Sequence, residues 1–383
     1  MIRNDSFYIK RISGKPYILP VGQMIADRMR GISVNETGEF IWGLLKEDIS
    51  LEILIKKSAE YFEASGDEIQ IIEKDVKTFL KTLSERGMLL ESGLVKTECA
   101  HIKSVLIAGI NIGFYGDKEC LTDKFDAFET DDSADNEDLR IEIIHDCIPI
   151  WLNGKVIVRN SAINTIECND RYILQFSESK EIEECHLNKE GTLARFYTVK
   201  DMSDDGKEIL FHAIRTVFLY RALKEGITAI HSASIEYKNK AWLFSAVSGI
   251  GKSTHSTLWN KLFNVKVING DLNLIGIKDG KAMVYGLPWC GTSETFDTGE
   301  YELGGIILLK RSEENFVEEL TDDRKTLLVQ QRNISPSWDE ELLDVQFEII
   351  MGIKEKCLIA RLNCTADDEA ATVMKEYIDK YDK

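Results

Sequence analysis

Apolar and polar positions alternate twice near the start of the chain, in Phe7-Tyr-Ile-Lys-Arg-Ile and in Pro16-Tyr-Ile-Leu-Pro-Val. Alternation of this kind marks strands, and the turn-forming Ser13-Gly14-Lys15 between them predicts a hairpin. The period then lengthens to that of helices. One apolar stripe carries Phe40, Ile41, Leu44 and Leu45, a second Leu51, Leu54, Ile55, Ala59 and Phe62, and a third Ile72, Val76, Phe79, Leu80 and Leu83. Ser50 is placed to cap the second helix and Gly87 to end the third. A hairpin and three short helices, closed by Met88-Leu-Leu, make an α+β winged-helix-like unit of about 90 residues, near the size that folds alone.

Residues 91–102 read as a linker, and Ser104 to Thr198 as short strands separated by polar turns. Ile209, Leu210, Ala213, Ile214, Val217, Phe218, Tyr220 and Leu223 then predict a buried helix over 207–225, with Gly226 as its stop. A strand follows at Lys240-Ala-Trp-Leu-Phe-Ser, a helical run through Leu258 and Leu262, and a further strand at Val265-Lys-Val-Ile-Asn-Gly-Asp271. The expected division is 1–92, a strand-rich part at 103–200 and a final domain at 201–383.

Length agrees with that division, because 383 residues exceed what one hydrophobic core serves. The longest apolar runs, Val105 to Ile110 and Leu303 to Leu309, are far shorter than a membrane span, and the first residues lack the pattern of a secretion signal. A cytoplasmic location is the expectation. The eight cysteines are scattered without a C-x-x-C pair, which predicts reduced thiols and no zinc site. A formal charge of −18 disfavours nucleic acid and favours a basic or neutral peptide as partner. The acidic run Asp123 to Asp138 reads as a solvated loop.

The candidate chemistry lies between the strand ending at Ser245 and the helix after it. There Ala246-x-x-x-x-Gly251-Lys252-Ser253 has the form of a phosphate-binding loop, with Ala in place of the first Gly. Ser248, Gly249, Ile250, Gly251, Lys252, Ser253 and Thr254 are its candidate nucleotide contacts. Glycines let backbone N–H groups turn toward phosphate oxygens, at the positive end of a helix. Lys252 is expected to reach the β- and γ-phosphates of ATP and Ser253 to hold Mg²⁺. Asp271 follows Lys252 by 19 residues (271 − 252) and is placed to bind Mg²⁺ or to take a hydroxyl proton. His255 is as readily a core residue as a site residue. Trp289, Gly291 and Thr292 either shape an acceptor pocket or form a turn, and Cys290 has no base partner in the sequence.

Two resemblances extend this reading. Asn35-Glu-Thr-Gly-Glu-Phe-Ile-Trp-Gly-Leu-Leu, with Asp75-Val and Phe79-Leu to Gly87-Met-Leu, resembles the PqqD family of peptide-recognition domains. That implies binding of the leader of a ribosomally made precursor peptide, added as a strand at a sheet edge and against the third helix. Ala229-Ile-His231-Ser-Ala-Ser, the loop, and Gly286-Leu-Pro-Trp289-Cys-Gly291-Thr resemble the HPr kinase/phosphorylase family over roughly one domain's length.

The second resemblance implies an α/β P-loop kinase domain of the HPr kinase / PEP carboxykinase-like type. It implies transfer of the γ-phosphate of ATP to a Ser or Thr hydroxyl, with Lys252, Asp271 and His231 in catalysis and Ser253 and Asp271 on the metal. Where those relatives carry an Asp pair, this chain has Gly270-Asp271-Leu272, a single carboxylate. Two other functions remain open from sequence: a noncatalytic peptide chaperone switched by nucleotide, and a kinase for a small metabolite.

Overall fold

A computed structural model describes residues 1–47, 49, 51–66, 68–90, 94–131, 136–145, 147, 149, 154–247 and 251–382. The cap expected at Ser50 lies outside the described residues, as do the loop residues Ser248, Gly249 and Ile250.

In chain order the first elements are β1 (Phe7–Ile12), β2 (Lys15–Pro20), α1 (Gln23–Ala26), β3 (Ile32–Ser33), α2 (Glu36–Leu44), α3 (Leu51–Tyr61) and α4 (Glu68–Glu85). Strands β4 (His101–Ile107), β5 (Ile110–Gly116) and β6 (Leu139–His145) follow. Next come β7 (Lys155–Arg159), β8 (Ile163–Glu167), β9 (Arg171–Phe176), β10 (Ile182–Asn188) and β11 (Leu193–Thr198). Then α5 (Asp204–Lys224), β12 (Ile227–Tyr237), β13 (Lys240–Ser245), α6 (Lys252–Phe263), β14 (Lys266–Asn269), β15 (Leu272–Lys278) and β16 (Lys281–Tyr285) are reached. The last are β17 (Glu300–Arg311), β18 (Phe316–Glu318), α7 (Asp322–Gln330), α8 (Glu340–Lys354), β19 (Leu358–Cys364) and α9 (Asp368–Tyr381).

These elements form two compact units. The first comprises Met1–Thr97, Ile144–Lys189 and Arg195–Asp201, the second Glu98–Ile143, Glu190–Ala194 and Met202–Lys383. Residues 103–200 are therefore shared between the two units rather than belonging to one, and the division falls inside β6 and β11.

In the first unit, β1 and β2 pair antiparallel from Phe7 with Pro20 to Ile12 with Lys15, and β3 is the edge strand beside β2. The turn residues Ser13 and Gly14 take left-handed φ values of 51° and 82°, as a tight hairpin turn requires. Helix α2 is capped by Asn35, whose side chain accepts from the Gly38 N–H at 2.8 Å. The three predicted helical stripes converge: Ile41, Trp42, Leu54, Val76, Leu80 and Leu83 are buried together with Phe7 and Ile18. At the end of α4 the N–H of Met88 reaches back to the Leu83 carbonyl at 2.9 Å. Gly87 has φ 65° there, the left-handed stop that favours glycine.

In the second unit, β12 is antiparallel to β13 and β15, β16 joins β15 to β17, and β17 runs parallel to both β13 and β19. Strands β12, β13, β15, β16 and β17 thus close into a circuit of pairings. Trp242, Phe244, Trp259, Ile307, Leu362 and Met374 fill the core between this sheet and helices α6 and α9. Helix α5 is buried along Leu210, Ile214, Val217 and Phe218 and ends before Gly226, as its apolar pattern predicts. Among the described residues no cysteine is in a disulfide. Among the described residues no helix is long and apolar enough to cross a membrane.

Candidate functional site

Strand β12 carries His231 near its middle. Its Nε2 lies 3.0 Å from Oδ1 of Asp271. Asp271 occupies the turn from β14 to β15, and buried Asn269 shapes that turn: its Oδ1 accepts from the N–H groups of Asp271 (2.9 Å) and Leu272 (3.0 Å). Side-chain acceptance two residues on is how Asn builds a turn. The Asn269 Nδ2 also donates to the Trp289 carbonyl at 3.2 Å, and Ser232 N–H donates to the Asp271 carbonyl at 2.9 Å. The carboxylate is therefore aimed by strand register and by one asparagine.

On the neighbouring strand, β13 ends at Ser245, and α6 begins at Lys252 behind Gly251, whose φ is 114°. Ser253 and Thr254 stand exposed in the first turn of α6, at the positive end of the helix. Lys252 is 9% exposed. Burial holds its ammonium pKa below the usual lysine range, nearby Arg332 pushes the same way, and Asp271 opposes both.

Sequence reading missed two members of this cluster. Arg215, on α5, has its pKa lowered by burial and interacts with Asp271. Arg332, just beyond α7, accepts at its backbone carbonyl from the His231 N–H at 2.9 Å, and its buried Nε has no hydrogen-bond partner among the described residues. The one available signal was an arginine inside an otherwise apolar helical stripe; Arg332 had none. Lys252, Arg215 and Arg332 against Asp271 leave two positive charges in excess (3 − 1). Partly buried cations with an orphaned donor call for an anion.

Asp271 itself is held below the ordinary carboxylate pKa, chiefly by the His231 hydrogen bond, with burial opposing and Lys252 and Arg215 assisting. It is anionic at neutral pH. Among the described residues no three of His, Cys, Asp and Glu gather as metal ligands. A Mg²⁺ ion fits one carboxylate and one hydroxyl when phosphate oxygens and water complete its shell; Asp271 is ionised and the Ser253 hydroxyl is exposed.

Two glycines shape the surroundings of this carboxylate. A Cβ at Gly270 would meet Ser293 Oγ at 2.1 Å and its Cβ at 2.4 Å, so Ser293 fills the space that a side chain at position 270 would take. A Cβ at Gly291, whose φ is +61°, would lie 2.8 Å from Asp271 Cβ and 3.0 Å from its Oδ2. Gly291 is thus the floor against which the free oxygen of Asp271 rests.

Other sequence candidates fall elsewhere. Trp289 is a core residue: it stacks on Phe211 and Phe218, and its Nε1 donates to the Phe211 carbonyl at 2.9 Å. His255 is buried on Phe244 with Nε2 3.4 Å from Cys364 Sγ, and burial pulls its pKa to about 4. Burial raises the Cys290 thiol, which keeps it protonated and a poor nucleophile. Asp297 is bound by Lys266 and Tyr301.

Residues 24–89 match the family model described as Coenzyme PQQ synthesis protein D (PqqD). No curated protein matches the chain. Among solved structures, the Hpr(Ser) kinase/phosphatase from Coxiella burnetii aligns with a TM-score of 0.25 and 10% identity, over 40% of this chain and 99% of that one.

Proposed function

We propose that the protein is an ATP-dependent kinase that phosphorylates a Ser or Thr hydroxyl of a ribosomally made precursor peptide, recruited through its leader by the PqqD-type segment. The observation that carries this reading is the pairing of His231 with Asp271 among Lys252, Arg215 and Arg332. One acceptor carboxylate inside a cationic cluster is what phosphoryl transfer asks of a protein, since the reaction is mostly positioning and charge neutralisation. In this reading Gly251 and the loop before it lie along the phosphates, and Lys252 and Arg215 take up charge on the transferring group. His231 holds Asp271 ionised and oriented, and Asp271 aligns the hydroxyl and accepts its proton. Ser253 and Asp271 are the residues that would hold Mg²⁺, which when bound neutralises phosphate charge. Measuring ATP consumption and peptide mass with and without candidate precursors tests the whole reading; ATP turnover with no peptide mass gain of one phosphate overturns it.

Removing the His231 hydrogen bond removes the largest cause of the low Asp271 pKa and leaves burial pushing it up. His231→Ala is therefore expected to move the acid limb of the kcat/KM profile to higher pH, because transfer needs the ionised carboxylate. An acid limb at the wild-type position would show that Asp271 is not the group titrating.

Leader recruitment has its own place in the first unit. A groove beside the edge strand β3 is lined by Ile32, Val34, Phe79, Thr82 and Arg86, so an added strand would lie against α4. Because Met1–Thr97 packs in one unit with Ile144–Lys189, a point change tests this better than excision. Thr82→Arg, at a half-buried position on the groove wall, is expected to raise KM for a leader-bearing peptide roughly tenfold at constant kcat, as lost uniform binding does. Equal KM values would favour the metabolite-kinase alternative.

A further inference from the structure

A cavity of about 430 Å³ in the second unit has Gly291 in its wall, the same residue that rests against Asp271 Oδ2. Its other wall is one face of α5. Glu208, Phe211 and His212 line it, and Arg215, the next position on that face, interacts with both His212 and Asp271. Spacings of three and four place these four side chains on a single stripe. The stripe runs from the mouth of the cavity to the carboxylate.

Two opposite charges on this wall offset each other. Lys124 Nζ lies 2.6 Å from both Glu208 carboxylate oxygens, and His212 Nε2 lies 3.3 Å from one of them. The Lys124 ammonium also sits 4.8 Å from the centre of the Phe211 ring. Opposite, Phe296 stacks on Phe128 with ring centres 5.8 Å apart and adds an aromatic wall, with buried Pro288 beside it. Glu294 on the lining disfavours an anionic guest, while two phenylalanines and a proline favour an aromatic or large apolar one.

We propose that this cavity is the acceptor subsite of the reaction proposed above, and that it selects a Ser or Thr flanked by an aromatic or large apolar residue. The flanking side chain packs between Phe211 and Phe296, and the hydroxyl reaches Asp271 Oδ2 across Gly291. The hydroxyl oxygen forms a bond to the γ-phosphorus of ATP as the bond to the β–γ bridging oxygen breaks, that electron pair leaving with ADP. The hydroxyl proton passes to Asp271 and on to solvent. Gly291 and Phe296 are then the specificity-determining residues.

The inference rests on the kinase reading, and its test separates the two. Two synthetic peptides serve as probes, acetyl-Ala-Phe-Ser-Phe-Ala-amide and acetyl-Ala-Ala-Ser-Ala-Ala-amide, with a photo-crosslinking benzoylphenylalanine version of the first. The aromatic peptide should be phosphorylated with kcat/KM at least roughly tenfold higher, a difference of the size one apolar contact provides. Phe296→Ala should erase that preference, and Gly291→Ala should abolish transfer to both peptides while ATP binding by calorimetry persists. Crosslinks should map to residues 208–212 and 288–296, in the variants as in the full wild-type chain wherever these fold. Crosslinking there without phosphate transfer supports the subsite and sinks the kinase reading. Equal transfer to both peptides, or crosslinks outside these segments, overturns the subsite and leaves the kinase reading standing.

Discussion

Lys252→Ala is expected to abolish phosphoryl transfer while the fold remains intact. The side chain is buried beside Arg332 and faces Asp271, so it contributes charge at the site rather than apolar packing. Loss of one preorganised charge partner of a developing anion costs on the order of 10²–10³ in kcat, and a phosphate-binding lysine, which meets two phosphates, belongs at or above the top of that range. Stability should move the other way. Because burial depresses the Lys252 pKa, the unfolded chain holds its proton more tightly, and wild-type stability rises with pH through the window below the ordinary lysine value. The alanine variant should lack that rise and unfold at an equal or higher temperature near neutral pH. Wild-type turnover in Lys252→Ala would remove the loop from the mechanism.

Asp271→Asn should retain nucleotide binding and lose about 10²–10⁴ in transfer, the range of one acid–base group. The carboxamide keeps the shape of the turn, and its oxygen still accepts from His231, but the charge that attracts a metal or a proton is gone. Stability again carries a sign. The folded pKa of Asp271 is lowered, so the group stabilises the fold above the ordinary carboxylate pKa, and that contribution fades as pH falls through the lowered value. The asparagine variant should therefore differ from wild type in thermal stability at neutral pH and converge with it in strong acid. Calorimetry showing unchanged ATP affinity together with unchanged kinetics would move the acceptor role to another carboxylate.

The two variants also discriminate between the functions left open by sequence. A nucleotide-switched peptide chaperone needs Lys252 for binding but has no use for a carboxylate aligned by a histidine. In that case Asp271→Asn would leave peptide release intact.

Local information in the chain was sufficient for the hairpin β1–β2, the helical stripes of α2 to α5, and the strand and helix that flank residues 248–250. Each depends on the spacing of apolar residues and on turn residues within a few positions, and such short-range preferences act before any tertiary contact. The same holds for Gly87 as a stop. What sequence could not determine is every relation that crosses the fold. His231 and Asp271 are 40 positions apart and meet because β12 pairs with β15 in one register. Arg215 and Arg332 reach the site from α5 and from the segment after α7, and Trp289 turns into the core instead of lining a pocket. Side-chain direction at such positions follows from strand register and helix packing, and a one-residue change of register would point each the other way. The sequence therefore determined which residues carry charge and where the backbone turns, while tertiary packing decided which of those charges share a site, since only the folded chain excludes the water that would otherwise keep them apart.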